Sequence, residues 1–200
     1  MGFPHSHLAA ANVVSADRFL NSVDMKVGAY VLDQTTIAAD AGARHVNVTH
    51  TLGGNVDTLG TILITGTDLS GNVITETITP VDSTLVAGTK WFHTVTSAVG
   101  AGWVVSADTT EDTIEIGYGA ELILVDGTGT LHSVVVNTTA AGAITLADST
   151  GTIAVLKASI AEGSYVFEAI FYGFLQVTLA AASDVTIMRD DNLAHPYAMS

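Results

Sequence analysis

The 200-residue chain has no cysteine, which excludes disulfides, cysteine-based zinc sites and thiol nucleophiles together. Positive charge is nearly as scarce. Six Lys and Arg stand against 20 Asp and Glu, for a net charge of −14. Phosphate backbones and anionic membrane surfaces would repel such a chain. No basic half is hidden in it, because Met1–Tyr118 has 12 acids and four bases and Gly119–Ser200 eight and two. Neither nucleic acid nor membrane is therefore an expected partner. Charge of either sign is low, at 13% of residues, where roughly a quarter is usual. Much of the surface must be covered by neighbours or made of neutral Thr, Ser, Asn and Gly. The longest apolar run, Tyr165–Ala182, is broken by Glu168, Gly173 and Gln176 and falls short of a spanning helix. The start, MGFPHSHLAAANVV, lacks the basic and long apolar regions of an ordinary secretory signal. A soluble protein is expected.

Apolar residues make up 48%, so the chain is no disordered tail, and its length allows one large β domain or two small ones. Thr, Val, Ala and Gly suit strands and tight turns. In Thr61–Pro80 two alternating runs flank Asp68, Ser70, Gly71 and Asn72, the pattern of a β-hairpin. Further alternating runs at His45–His50, Trp91–Ser97, Trp103–Ser106 and Thr113–Tyr118 define a first β region, residues 44–118. Seven more, from Leu122–Val125 to Val185–Arg189, define a second, residues 119–200. The spacing predicts an all-β protein of two small antiparallel β-sandwich or jelly-roll-like domains. Residues 1–43 read as an irregular N-terminal arm. Within it either a short helix over Ala16–Val23, N-capped by Ser15, or an extended arm packed on a neighbouring subunit is expected.

No constellation declares a chemistry. His5 and His7 lie two apart in the arm, and with His195 they would need the two ends of the sequence to meet before they could share an ion. His45 and His50, five apart on one strand, face opposite sides. His93 and His132 read as packed or hydrogen-bonded side chains. The turns at Asp108–Asp112, Asp126 and Asp148 lack the spacing that gathers oxygens round calcium, and Asp and Gly there have a plainer role in turn geometry. There is no G-x-S-x-G or H-E-x-x-H, and Val86–Lys90 lacks the first glycine of a phosphate loop. Asn47 and Asn137 begin glycosylation triplets that fall in or at the end of strands. No enzyme activity, cofactor or metal is expected. Aromatics amount to 6%. They read as core; where exposed, they would mark an oligomer or partner contact. The candidate interaction residues are Phe19, Leu20, Trp91 and Trp103.

One pattern carries a resemblance. ILITGTDLSGNVITETITPVDSTLVAGTKWFHTVTSA has Gly66–Asp68, Gly71–Asn72 and Glu76–Thr79 in a hairpin, then Gly88–Lys90 and Thr94–Ser97 in a strand. It resembles a module of tailed-bacteriophage virion proteins. The later LHSVVVNTTAAGAITLAD stretch and the SDVT that follows also look like small phage structural domains. The resemblance implies a virion structural protein, foremost a capsid decoration (cement) protein on the capsid surface. Such a protein would bind the major capsid protein and self-associate, with a trimer favoured. It carries over no catalytic residue. The alternative is a tail or host-adhesion component that binds a receptor or glycan through a β domain. A β-sandwich hydrolase is the third class, and it would require two carboxylates facing each other across a cleft.

Overall fold

A computed structural model describes residues 5–8 (backbone only), 14–37, 42–54, 57–104 and 111–190. Among these residues there are strands and turns and no helix. The chain divides into two compact units, one of Val14–Ile37 and Ala43–Gly119, the other of Met1–Val13, Ala38–Gly42 and Ala120–Ser200. We call the first the inserted unit and the second the host unit, because the first interrupts the second in sequence.

The inserted unit contains β2 (Ser15–Asp24), β3 (Gly28–Ala29), β4 (Ala43–Thr51), β5 (Thr61–Thr67), β6 (Val73–Ile78), β7 (Leu85–Phe92), β8 (Thr94–Ala101) and the first half of β9 (Thr113–Asp126). One sheet runs β3-β8-β5-β6, and the other places β2 and β4 beside β9 with β7 beyond β4. Numbered from one to eight within the unit, the strands lie in the orders 2-7-4-5 and 1-8-3-6. That is the order of a jelly roll, in which successive strands cross between two facing sheets except for the fourth and fifth, which form a hairpin in one of them.

The host unit contains β1 (His5–Leu8), the second half of β9, β10 (Gly129–Val136), β11 (Ile144–Asp148), β12 (Gly151–Leu156), β13 (Gly163–Phe171), β14 (Phe174–Leu179) and β15 (Val185–Asp190). Its sheets run β1-β15-β10-β13 and β12-β11-β14-β9. Numbered within the unit, these are again 1-8-3-6 and 5-4-7-2. The two units therefore share one topology, and β9 serves as strand eight of the first and strand two of the second.

Alternation builds both cores. In β5, Ile62 and Ile64 are fully buried while Leu63 is turned outward. In the host unit Leu131, Val134, Leu146, Phe171, Leu175 and Ile187 belong to one apolar cluster. At about 25 cal/mol per Å² of apolar surface removed from water, such side chains contribute roughly 1.5–3 kcal/mol each. In the inserted unit Phe19 meets Tyr118 edge-on at 6.2 Å between ring centroids. The buried Arg44 lies 4.9 Å from the centre of the Tyr118 ring and donates from Nη1 to the Gly119 carbonyl at 3.0 Å.

Residues 14–37 do not form a separate arm, and Ala16–Val23 is not helical. Ser15–Asp24 is a strand paired antiparallel with β9, from Ser15↔Tyr118 to Asp24↔Thr113. Register shifts interrupt the pairing on either side of Leu20, and Ser22 is left-handed at φ 28°. Bulges of this kind let the adjacent Phe19 and Leu20 both enter the core, which a regular strand forbids. Burial at two neighbouring positions is the feature that imitates a narrow helical face. Earlier in the predicted arm, His5–Leu8 forms β1, paired with β15.

Candidate functional site

The residues that carry the phage-like pattern meet one another inside the inserted unit. Asp68 closes the β5–β6 turn, accepting Oδ1 bonds from the Ser70 and Asn72 N–H groups at 2.9 Å each and an Oδ2 bond from Asn72 Nδ2 at 3.1 Å. The Asn72 amide, with these N–H groups, holds the Asp68 carboxyl below its ordinary range against the opposing effect of desolvation. Gly71 takes the left-handed conformation this turn needs, φ 82°. Thr67 donates to Thr94 Oγ1 through its N–H at 3.2 Å, and the two hydroxyls lie 2.7 Å apart.

Glu76 does more than line a surface. It is half-buried, and its Oε1 accepts from the Thr89 N–H at 2.6 Å and the Thr89 hydroxyl at 3.0 Å. Oε2 accepts from the Lys90 N–H at 3.2 Å, while Lys90 Nζ returns a bond to the Thr75 carbonyl at 2.7 Å. A Cβ on Gly88 would sit 2.6 Å from Glu76 Oε2 and 2.9 Å from the Val46 carbonyl oxygen. Glu76 and Gly88-Thr89-Lys90 thus form a clasp between β6 and β7, the edge strands of the two sheets. A clasp of this kind shields edge groups that would otherwise invite another strand.

A second cluster is centred on two buried side chains. Asp112 is buried and accepts from the Gly53 N–H at 2.8 Å, the Asp57 N–H at 3.1 Å and His50 Nε2 at 3.1 Å. His50 is also buried, and its Nδ1 accepts the Ser83 N–H at 3.1 Å. That acceptor role assigns the imidazole proton to Nε2. Burial pushes the Asp112 carboxyl up, but the Gly53 and Asp57 N–H groups and His50 outweigh it and hold the carboxyl below the usual aspartate range. With both partners sealed from solvent, the pair ties three loops together and cannot reach a substrate.

The third cluster lies in the host unit. On β10, Leu131 and Ser133 pair with Ala169 and Val166 of β13, and with Arg189 and Met188 of β15. His132 is therefore an extra residue against β15, and β13 carries its own extra residue opposite. Glu168 takes it up with a left-handed φ of 47°. His132 Nδ1 meets Glu168 Oε2 at 2.8 Å and Nε2 meets Asp190 Oδ2 at 3.3 Å. Glu168 chiefly, then Asp190, raises the His132 pKa, while burial works against them.

The remaining candidates are placed as follows. Asp148 Oδ1 accepts from the Thr150 N–H and hydroxyl, both at 2.7 Å, and from the Gly151 N–H at 3.2 Å, and Oδ2 accepts from the Tyr172 N–H at 2.9 Å. Burial alone would raise this carboxyl, and these donors, the Thr150 hydroxyl first, bring it below its ordinary value. His45 stacks on Trp91 with ring centroids 3.7 Å apart. His195 and most of the acidic turn before Asp112 lie outside the described residues. Among the described residues no group of three His, Asp or Glu is arranged to hold a metal ion. An open pocket of about 270 Å³ involves Lys26 and Tyr30, but the Tyr30 hydroxyl is engaged by the Lys26 backbone N–H at 3.0 Å and carbonyl at 3.1 Å.

Three of the four candidate interaction residues are not at a surface. Phe19, Leu20 and Trp103 are buried in the inserted unit, and Trp91 is half-covered by His45. Aromatic and branched apolar side chains this large are drawn inside whenever a bulge or loop can place them there. The apolar side chains that are exposed lie elsewhere. Val166 is 69% and Ile170 49% exposed on edge strand β13, and Val155 is exposed on edge strand β12. The signal for β13 stands in the sequence: Tyr165, Phe167 and Phe171 alternate with Val166 and Ile170, so both faces are apolar.

The molecule is thus a tandem jelly-roll protein whose prominent polar clusters are engaged in holding strands and loops. No family model, curated protein or solved structure matches the chain.

Proposed function

We propose that this chain is a bacteriophage virion structural protein, a capsid decoration protein that binds across seams between major capsid subunits and stabilises the head. The observation that carries the reading is the clasp of Glu76 on Thr89 and Lys90. It gives Glu76 and Gly88–Lys90 of the phage-like pattern a structural purpose, the joining of two jelly-roll edge strands, and that purpose needs no catalysis. The tandem jelly roll agrees with it, since capsid proteins are among the users of this fold, although fold alone does not fix function. The exposed apolar residues of β12 and β13 offer surface for a partner, and a net charge of −14 suits a position away from packaged DNA. Binding that occurs only on the assembled shell stabilises it by mass action.

The test uses expanded heads that lack the protein. Added chain should bind them in saturable fashion and raise the temperature at which they release DNA. A cryo-electron-microscopy map should show added density over capsomer seams. Heads that neither bind it nor gain stability would remove the reading.

A further inference from the structure

The topology of the host unit points to a way for copies of this chain to join. Its first strand, β1, consists of the four residues His5–Leu8. Its second strand begins only at Ala120, after the whole inserted unit. β1 is an edge strand paired with β15 alone, in the register His5↔Met188, Ser6↔Ile187, His7↔Thr186 and Leu8↔Val185. Seven of the eight host strands are therefore continuous in sequence, and the eighth is attached through a separately folded unit.

We propose that β1 is exchanged between copies, so that His5–Leu8 of one chain completes the β15 edge of another. His5–Leu8 complements the β15 edge in the structure, and the same pairs form whichever copy supplies the strand. Without β1, the outer N–H and C=O groups of β15 would form an open edge, which attracts another strand. Exchange of an identical element costs little, because the contacts are conserved and only the connection changes. In a closed ring each copy both gives and receives a strand, so no β15 edge stays open. The inference concerns self-association alone and stands or falls independently of any capsid partner.

The absence of cysteine makes a clean test. A full-length chain carrying His7→Cys and Thr186→Cys is oxidised, or treated with a short bis-maleimide, and run denatured without reductant. Exchange predicts covalent species at two or three times the 20.6 kDa chain mass. In a second arm, a chain with His7→Cys alone is refolded together with one carrying Thr186→Cys alone. Exchange predicts a linked pair containing one of each. Because Thr186 accepts a bond from Asn137 Nδ2 at 3.2 Å, the His5→Cys with Met188→Cys pair repeats both arms without disturbing that contact. Product at monomer mass only, or no linked product from either pair, overturns the proposal.

Discussion

Replacing Asp112 with alanine should weaken the inserted unit more than any other single polar change in it. The substitution strands two buried donors, the Asp57 N–H and the Nε2–H of His50, and also removes the acceptor of the Gly53 N–H, which lies nearer the surface. A buried donor left without an acceptor costs about 1–3 kcal/mol. A water admitted to the vacated space would recover part of that, leaving a loss on the order of 3–5 kcal/mol. Domains are stable by only about 5–15 kcal/mol, so much of the margin disappears. Both tryptophans, Trp91 and Trp103, lie in this unit, so urea unfolding followed by tryptophan fluorescence reports on it alone. With a slope of about 1–3 kcal/mol per molar urea, the midpoint should fall by about 2 M. Asp112→Asn, which keeps one acceptor oxygen, should fall by less. His50→Ala leaves the two backbone bonds in place and should also cost less, and the double variant should lose less than the sum of the singles. A midpoint shift below about 0.5 M for Asp112→Ala, with the slope unchanged, would refute the assignment of Asp112 as the centre of the cluster.

Gly88→Ala pushes a Cβ against Glu76 Oε2 and the Val46 carbonyl. It should cost about 1–3 kcal/mol in the same fluorescence assay, and Glu76→Ala should cost a similar amount. Combining the two should add little, since each opens the same clasp. Asp112 has a depressed folded pKa, so its contribution is present above the unfolded value of about 3.9 and is lost as pH falls through the folded one. A urea series from pH 5 down to pH 2 should show the inserted unit weakening, and Asp112→Asn should flatten that dependence. For His132 the sign reverses. Its folded pKa is raised, so its contribution is complete below the unfolded value of about 6.5 and is lost as pH rises through the folded one. Amide hydrogen exchange in β10, β13 and β15 should quicken over that rise, corrected for intrinsic rates, and His132→Gln should abolish the change.

Strand alternation and turn residues made the all-β class and the hairpin over Thr61–Pro80 legible in the sequence. The clasp was half legible. Glu76 and Gly88-Thr89-Lys90 belong to one recognisable pattern, but alternation could not reveal that the half-buried Glu76 reaches across to the next strand's backbone. Ser15–Asp24 misled because its bulges bury Phe19 and Leu20 side by side, which hides the two-residue period. The His50–Asp112 pair could not have been read at all. Its members are 62 residues apart and meet only once β9 takes its place beside β4. His132 and Glu168 likewise depend on matched extra residues in two strands, and nothing local in either strand marks them.

The sharing of topology between the units sets an order of events during synthesis. The inserted unit has all its strands once Gly119 has emerged. β1, made long before, pairs only with β15, whose register begins at Val185. At about 5–20 residues per second, the roughly 180 intervening residues take on the order of 10–35 seconds. For that whole interval the first strand of the chain waits without its partner while another domain finishes folding behind it. Neighbouring ribosomes on one message would hold many such waiting strands close together, so the strand exchange proposed above should depend on the crowding of nascent chains as well as on the concentration of finished protein.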